Sequence, residues 1–320
     1  MGETFIKKAI LMDLRPLAIT DIPAWGDLLA LCFNQSILHM QQLIEWLYCL
    51  GQLEAYGLWE NDQLIAQYSC LQRTISFNSL VIPLGMSMNM AVHPDYRGKG
   101  LIKQVSQPVY EGLRQQQVEF GMGFSNAQGV KVDKHSKSYG YQVIGQMQPY
   151  IIKVHNFKRP PLKPLDRLPN PFHVPPNHSF LDAHFSKDTN HLIRRYLQHP
   201  FRQYEYGIWC EHNEIQGIVV YKTVNLKGFP SVALLDVYSQ QPEELLMRWS
   251  STLHHNHIYF IHMLVSPNSR VKQIIKRHFL TIRAPHTYNP YYLTIKPLTD
   301  YFDKTLLDFA RWDLIGGDIL

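Results

Sequence analysis

The residues best suited to chemistry stand together in the run Val92-His93-Pro94-Asp95-Tyr96-Arg97-Gly98-Lys99-Gly100-Leu101. Glycines at 98 and 100 let the backbone curl tightly and turn several N–H groups toward one point. A helix starting at Leu101 would add unpaired donors and the positive end of its dipole. Arg97 and Lys99 supply full charges. Such a loop suits a pyrophosphate. Taken alone, the same residues would equally make a plain strand-to-helix turn that needs glycine. They form neither a P-loop, since no Ser or Thr follows a Gly-Lys pair, nor the GxGxxG of a dinucleotide fold.

Something must hold that loop. Residues 86 to 92 read as a central strand running into it, and residues 101 to 116 as the helix leaving it. Upstream, 9 to 16 reads as an opening strand. Asp21 is placed to cap a helix carrying Leu28, Leu29, Leu31, Cys32 and Phe33, with Pro23 in its first turn. A second helix spans 37 to 50. Strands 56–60 and 63–75 flank the turn pair Asn61-Asp62 as a hairpin. Downstream come a strand at 118–124, a short helix near 130–138 and a final strand at 142–154. Hairpins mixed with crossovers predict an α/β fold with a mixed central sheet.

At 320 residues the chain is expected to hold two domains. Residues 154 to 177 contain seven prolines, a composition that rules out a helix and makes a poor strand. This stretch divides a first domain, 1–152, from a second, 179–320, with 153–178 as linker. Hydrophobic residues at 45% are ample for two cores, and the formal charge of +5 is mild. It suits an anionic ligand and not a nucleic-acid partner. No apolar run reaches the roughly 18 to 20 residues that span a bilayer. The N-terminus lacks a signal-peptide core, so a cytoplasmic protein is expected. Cys32, Cys49, Cys70 and Cys210 form no CxxC pair, and three of them read as small core residues. His254, His255 and His257 share no helix face and have no ligand-spaced partner, so no metal is expected.

The loop closely resembles the acyl-CoA loop of the GNAT (acyl-CoA N-acyltransferase) superfamily. The opening Leu14-Arg15-Pro16-Leu17, the upstream element order, Gly123-Phe124-Ser125-Asn126 and Tyr139-Gly140-Tyr141 resemble the rest of its pattern, over about 140 residues. The resemblance implies acetyl-CoA, or another acyl-CoA, as co-substrate. It implies that Met90, Ala91 and Val92 form a splayed strand end whose backbone pairs with the pantetheine arm. One N–H there would face the thioester oxygen. Arg97, Gly98, Lys99, Gly100 and Leu101 match the pyrophosphate loop. Asn126 matches a polar residue beside the pantetheine, and it equally suits a helix N-cap. Two positions depart from the family. Asp95 stands where a Gln or Arg is common, and Ser136 stands where many members carry a proton-donating Tyr. Tyr139 or His135 would then serve as acid, or water would. His93, sharing a strand face with Ser87, Asn89 and Ala91, is a candidate base for the attacking amine.

Residues 179 to 320 repeat the element order faintly, with hairpin strands around Asn213, a central strand at 233–238 and a helix at 243–253. A strand at 259–265 and a helix at 269–278 follow. Where a phosphate loop would stand, Ser239-Gln240-Gln241-Pro242-Glu243-Glu244 has no glycine, and its carboxylates would repel phosphate. This resembles a second, degenerate GNAT-like domain, giving two tandem GNAT-like domains. The closing Trp312-Asp313-Leu314-Ile315-Gly316-Gly317-Asp318 resembles the tail of tandem GNAT-like proteins from surface-polysaccharide settings. The expected activity is N-acetyltransfer to a primary amine of a small molecule, an amino sugar first, with a homodimer allowed. The alternatives are a non-catalytic acyl-CoA sensor or assembly subunit and an aminoacyl transferase of the Fem type. The intact CoA loop argues against the last.

Overall fold

A computed structural model describes residues 12–127, 129–130, 140–165, 183–212, 214–226, 228–284 and 290–319. The opening strand, β1, is Met12–Pro16. Helix α1, Ile22–Phe33, ends at Asn34, which takes the left-handed conformation (φ 53°) that closes a helix. Helix α2, Ile37–Leu50, starts where the Ser36 hydroxyl accepts the His39 amide. Asp21 precedes α1 but does not cap it. Its carboxylate accepts from Arg15 (2.9 and 3.0 Å) and from Ala18 N (2.9 Å), tying β1 to the helix start instead. Strands β2 (Leu53–Glu60), β3 (Gln63–Phe77) and β4 (Leu80–Val92) form an antiparallel meander.

Helix α3, Leu101–Gln115, places Leu101, Val105, Val109 and Leu113 at successive intervals of four. That stripe is buried against Leu58, Ile65 and Tyr68 of the meander. Each such side chain contributes roughly 1.5–3 kcal/mol by leaving water. Strand β5 (Phe120–Ser125) then pairs parallel with β4.

The stretch read as one strand from 142 to 154 breaks at Met147. Its first part, β6 (Gln142–Gln146), and its second, β7 (Gln148–Lys153), belong to different sheets. The remaining strands are β8 (Lys163–Leu165), β9 (His184–Phe185), β10 (Glu205–Glu211), β11 (Glu214–Leu226) and β12 (Phe229–Ser239). β13 (Phe260–Val265), β14 (Thr281–Arg283) and β15 (Tyr292–Pro297) complete the set. The helices of this half are α4 (Thr189–Leu192), continued by a π-helical turn to Leu197, α5 (Pro242–His255) and α6 (Arg270–His278).

The first sheet has the order β1-β2-β3-β4-β5-β15-β6, and the second β14-β7-β13-β12-β11-β10-β8. Each half therefore lends one strand to the other. β15, late in the chain, stands between β5 and β6 and pairs antiparallel with both. β7 stands between β13 and β14 in the same way. A cut at residue 152 separates the proline-rich stretch from what precedes it but does not separate the sheets. Nor is that stretch wholly free of strand. Lys163–Leu165 pairs with β10 at the sheet edge, where Pro164 is tolerated because one flank needs no ladder bond. The rest of it, 166–182, lies outside the described residues, as do most of the helix expected at 130–138 and the turn residue Asn213.

One hydrophobic cluster joins the halves. Trp46 and Leu47 of α2 and Met86 and Met88 of β4 meet Phe185, Leu293, Ile295, Phe302, Phe309 and Trp312. Among the cysteines only Cys70 is buried. Cys49 and Cys210 are exposed and Cys32 is half-buried, which corrects the expectation of three core cysteines. Apolar sequence neighbours put Cys49 on a helix but do not say which face it takes. No helix among the described residues is long and apolar enough to cross a membrane.

Candidate functional site

The parallel ladder between β4 and β5 is short. It joins Leu84–Met86 to Phe120–Met122, although β4 runs on to Val92 and β5 to Ser125. On its opposite edge β5 stays paired with β15 along its whole length, from Phe120–Pro297 to Ser125–Tyr292, so past Met122 it has left β4 alone. A wedge opens between the two strand ends.

A β-bulge helps to open it. On β3, Gln67 faces Ala91 and Ser69 faces Met88, so Asn89 and Met90 together oppose Tyr68. Asn89 takes φ 42° to do so, and the buried Gln67 side-chain amide donates to its carbonyl oxygen. The extra residue also exchanges the faces of the strand. Met86 and Met88 pack with α2, and beyond the bulge Ala91 does so with α1, whereas Met90 and Val92 pack toward α3. Before the bulge it is the odd residues that face α3, since a Cβ on Gly85 would meet Leu113 at 2.6 Å. Ser87 and Ala91 therefore lie on opposite faces. The alternation that put His93 on one face with Ser87, Asn89 and Ala91 is overturned by one inserted residue.

Beyond Val92 the loop turns as its residue types require. His93 N donates to Ile65 O (2.8 Å), and His93 Nδ1 accepts from Asp95 N (3.3 Å), capping the turn Pro94–Tyr96. Asp95 is itself exposed, 3.8 Å from the same ring nitrogen. Arg97 Nε and Cys32 Sγ both donate to Val92 O at 3.3 Å, fixing the strand end. Lys99 Nζ lies 4.6 Å from the centre of the Tyr96 ring, whose hydroxyl donates to Glu60. Gly98 (φ 80°) and Gly100 (φ 70°) occupy left-handed backbone, and no atom stands within 4 Å of where a Cβ would lie on either. Leu101 then opens α3. Lys103 N already takes Gly100 O (3.1 Å), and the first-turn amides before it have no partner within the helix. The structure thus brings together Met90, Ala91, Val92, Arg97, Gly98, Lys99, Gly100 and Leu101 around the wedge mouth.

Asn126 stands at the end of β5 and caps the following turn. Its Oδ1 accepts Gly129 N (2.9 Å) and its carbonyl accepts Val130 N (2.9 Å). Tyr139, His135 and Ser136 lie outside the described residues.

Several residues that sequence reasoning missed line the α3 side of the wedge. Tyr110 OH donates to Tyr68 OH (2.9 Å), which lies 3.2 Å from Tyr141 OH. Burial pushes the Tyr68 phenol well above its usual range, so it stays protonated. A Cβ on Gly121 would strike Tyr141 OH at 2.6 Å, and one on Gly123 would reach Thr294 Oγ1 at 3.1 Å. Lys296 Nζ sits 4.4 Å over the Tyr110 ring, its pKa lowered first by burial and then by Arg114. Thr294 and Lys296 come from β15, more than 150 positions after the loop, and no local pattern could have placed them there.

The second sheet carries a matching wedge. The parallel ladder of β12 and β13 stops at Leu234–Met263. A bulge at Leu235 stands between the pairs Val220–Asp236 and Tyr221–Leu234. This wedge is filled by the tail of the chain. Ile315 bridges to Val265, Ser266 N donates to Leu314 O (3.0 Å), and Ile315 N donates to Asp318 Oδ2 (2.8 Å). A Cβ on Gly317 would meet Tyr196 OH at 2.1 Å and Leu235 O at 2.6 Å. In place of a glycine loop, Ser239 Oγ accepts Gln241 N (3.0 Å) before Pro242 starts α5. Glu243 meets His278 Nε2 at 2.9 Å, and Glu244 meets Arg248 at 2.7 Å. His254 and His255 end α5, His255 Nδ1 lying 2.6 Å from Ser251 O.

Residues 13–144 match a family model described as an acetyltransferase (GNAT) domain. No curated protein matches the chain. Among solved structures, a GCN5-related N-acetyltransferase from Anabaena variabilis is 12% identical with a TM-score of 0.67 over 90% of this chain and 73% of its own. One from Kribbella flavida is 13% identical, with a TM-score of 0.59 over 89% and 71%. Eis1 from Mycobacterium abscessus is 10% identical, with a TM-score of 0.57 over 90% and 74%. At such identities the likeness bears on the fold alone, and it extends over both halves.

Proposed function

Because residues 13–144 match a GNAT acetyltransferase domain, we propose that the chain holds two tandem GNAT-like units and moves an acetyl or short acyl group from acyl-CoA to a primary amine. One observation carries the reading: the β4–β5 wedge opens beside a glycine loop bearing Arg97 and Lys99 at the start of α3. Pyrophosphate suits the loop by charge and by its unpaired amides. The pantetheine arm suits the wedge, whose β4 edge has lost its β5 partner. Beside the bulge, a backbone N–H near Met90 is the group to meet the oxygen of the tetrahedral intermediate.

Transfer requires a neutral amine to attack the thioester carbon, expel the thiolate and give up a proton. The hydrogen-bonded hydroxyls of Tyr68, Tyr110 and Tyr141 form a cluster able to donate a proton on the α3 side of the wedge. His93 fits its turn better than it fits catalysis, because the nitrogen that would take a proton already accepts from Asp95 N. This engagement also favours a second reading, a non-catalytic acyl-CoA sensor. A small amine such as an amino sugar is the proposed acceptor, and the proposed setting is the cytoplasm.

Isothermal titration of acetyl-CoA into the wild type and into a Gly98→Glu, Gly100→Glu double variant tests the cofactor site. Binding by the wild type alone supports it, and binding by neither sinks it. Thiol release across a panel of amines separates enzyme from sensor.

A further inference from the structure

Helix α4 and its π-helical continuation lie across β3 and the end of α2, where Trp46 Nε1 donates to Arg194 O (2.8 Å). Between them is a cavity of about 260 Å³ at the seam of the two halves. Three arginines line it, Arg73, the exposed Arg194 and Arg195, and the first and last have buried nitrogens without partners. Arg195 is 3% exposed and donates through Nη1 to Tyr204 OH (3.3 Å) and through Nη2 to Ile319 O (2.9 Å). Its Nε is buried with no partner. Arg73 stacks on Phe185 (4.1 Å) and donates through Nη2 to His191 Nδ1 (3.2 Å), while its buried Nη1 has no partner. Because His191 Nδ1 accepts from Arg73, the neutral ring carries its proton on Nε2, which is also buried without an acceptor. Burial, then the charges of Arg73, Lys187 and Arg195, keep that ring neutral by holding its pKa well below the usual range.

These cations have no carboxylate in contact. The buried carboxylates nearby, Asp236 and Asp318, share the single ammonium of Lys187 at 2.6 and 2.8 Å, and Asp318 acts on Arg73 only at a distance. Among the described residues no carboxylate stands within ion-pair distance of Arg73 or Arg195. Asp188 lines the cavity, but it is exposed and its Oδ1 accepts His191 N (2.7 Å). A buried guanidinium without a partner is costly, and an oxyanion accepting from its planar donors removes that cost.

We propose that this cavity binds a small oxyanion, a carboxylate or a phosphate group, held by Arg73 Nη1, Arg195 Nε and His191 Nε2. The site is separate from the wedge. Arg73 lies five residues along β3 from Tyr68, which the bulge opposes, or about 16 Å at ~3.3 Å per residue. The glycine loop is farther still, beyond the opposite end of β4.

Calorimetric titration of the full chain at low ionic strength, with inorganic phosphate in one arm and succinate in the other, tests the proposal. Saturable binding of one anion is expected, weakened at least tenfold in Arg73→Gln, with acetyl-CoA binding unchanged. If Arg73→Gln does not fold, Arg195→Lys keeps the charge, removes the Nε donor and should weaken the same anion. No saturable heat with either anion, or equal binding by wild type and variant, overturns it. The arm that responds tells phosphate from carboxylate.

Discussion

At the end of β4 the parallel ladder stops at Met86 and leaves a gap beside glycines 98 and 100. At the end of β12 the ladder stops at Leu234, and residues 315–318 of the same chain occupy the gap. Both gaps adjoin a bulge in the central strand, so the backbone device is shared. What differs is the next few residues. Two glycines and two cations follow β4, whereas a proline and two glutamates follow β12. A bulged, splayed strand pair is thus a general way to expose backbone donors and acceptors. Whether the gap serves a ligand or the chain itself is set by the loop after it and by which segment can reach it.

The largest expected effect comes from loosening the packed segment that leads into the filled gap. Trp312 is fully buried and hydrogen-bonded to Leu306 O (2.9 Å), so Trp312→Ala should cost about 3–5 kcal/mol in denaturant unfolding. The same variant should gain no acetyl-CoA binding through the second gap, and a new binding event there would break the distinction. Next, the Gly98→Glu, Gly100→Glu pair should weaken acetyl-CoA by at least ~100-fold, or about 2.7 kcal/mol. A Glu243→Gln, Glu244→Gln pair in the other half should change nothing in the same titration. Tyr68→Phe keeps the ring and removes the hydroxyl shared with Tyr110 and Tyr141. Its kcat should fall on the order of tenfold with KM for acetyl-CoA little changed.

The last effect concerns the seam and develops only in acid. His199, 4.4 Å from Trp46, has its pKa lowered to about 3 by burial first and by nearby cations second. Below pH 6.5 the unfolded chain takes a proton that the folded one refuses. Stability should therefore fall as pH drops from 6.5 toward 3, and His199→Phe should flatten that slope in pH-dependent melting.

Sequence alone located the loop, its helix and most strands, because short-range periodicity and glycine placement govern them. The meander β2–β4, the amphipathic α3 and the acidic replacement at Glu243 were all legible for that reason. The bulge was not, since nothing in Ser87–Ala91 marks where two residues must face one, and the His93 placement failed with it. The break at Met147 was equally hidden. Residues 142–154 carry strand character throughout, and only the competition between two sheets for their edges divides them. Thr294 and Lys296 entered the site by that same route.

The exchange of β7 and β15 also dictates when the molecule can finish folding during synthesis. The first sheet cannot close until residues 292–297 have been made, about 170 positions after β5. At roughly 5–20 residues per second the wait is on the order of 10–30 seconds. Until then the edge of β5 that bears Gly121 and Gly123 stands unpaired, and a ribosome stalled in the second half would present it to any neighbouring strand.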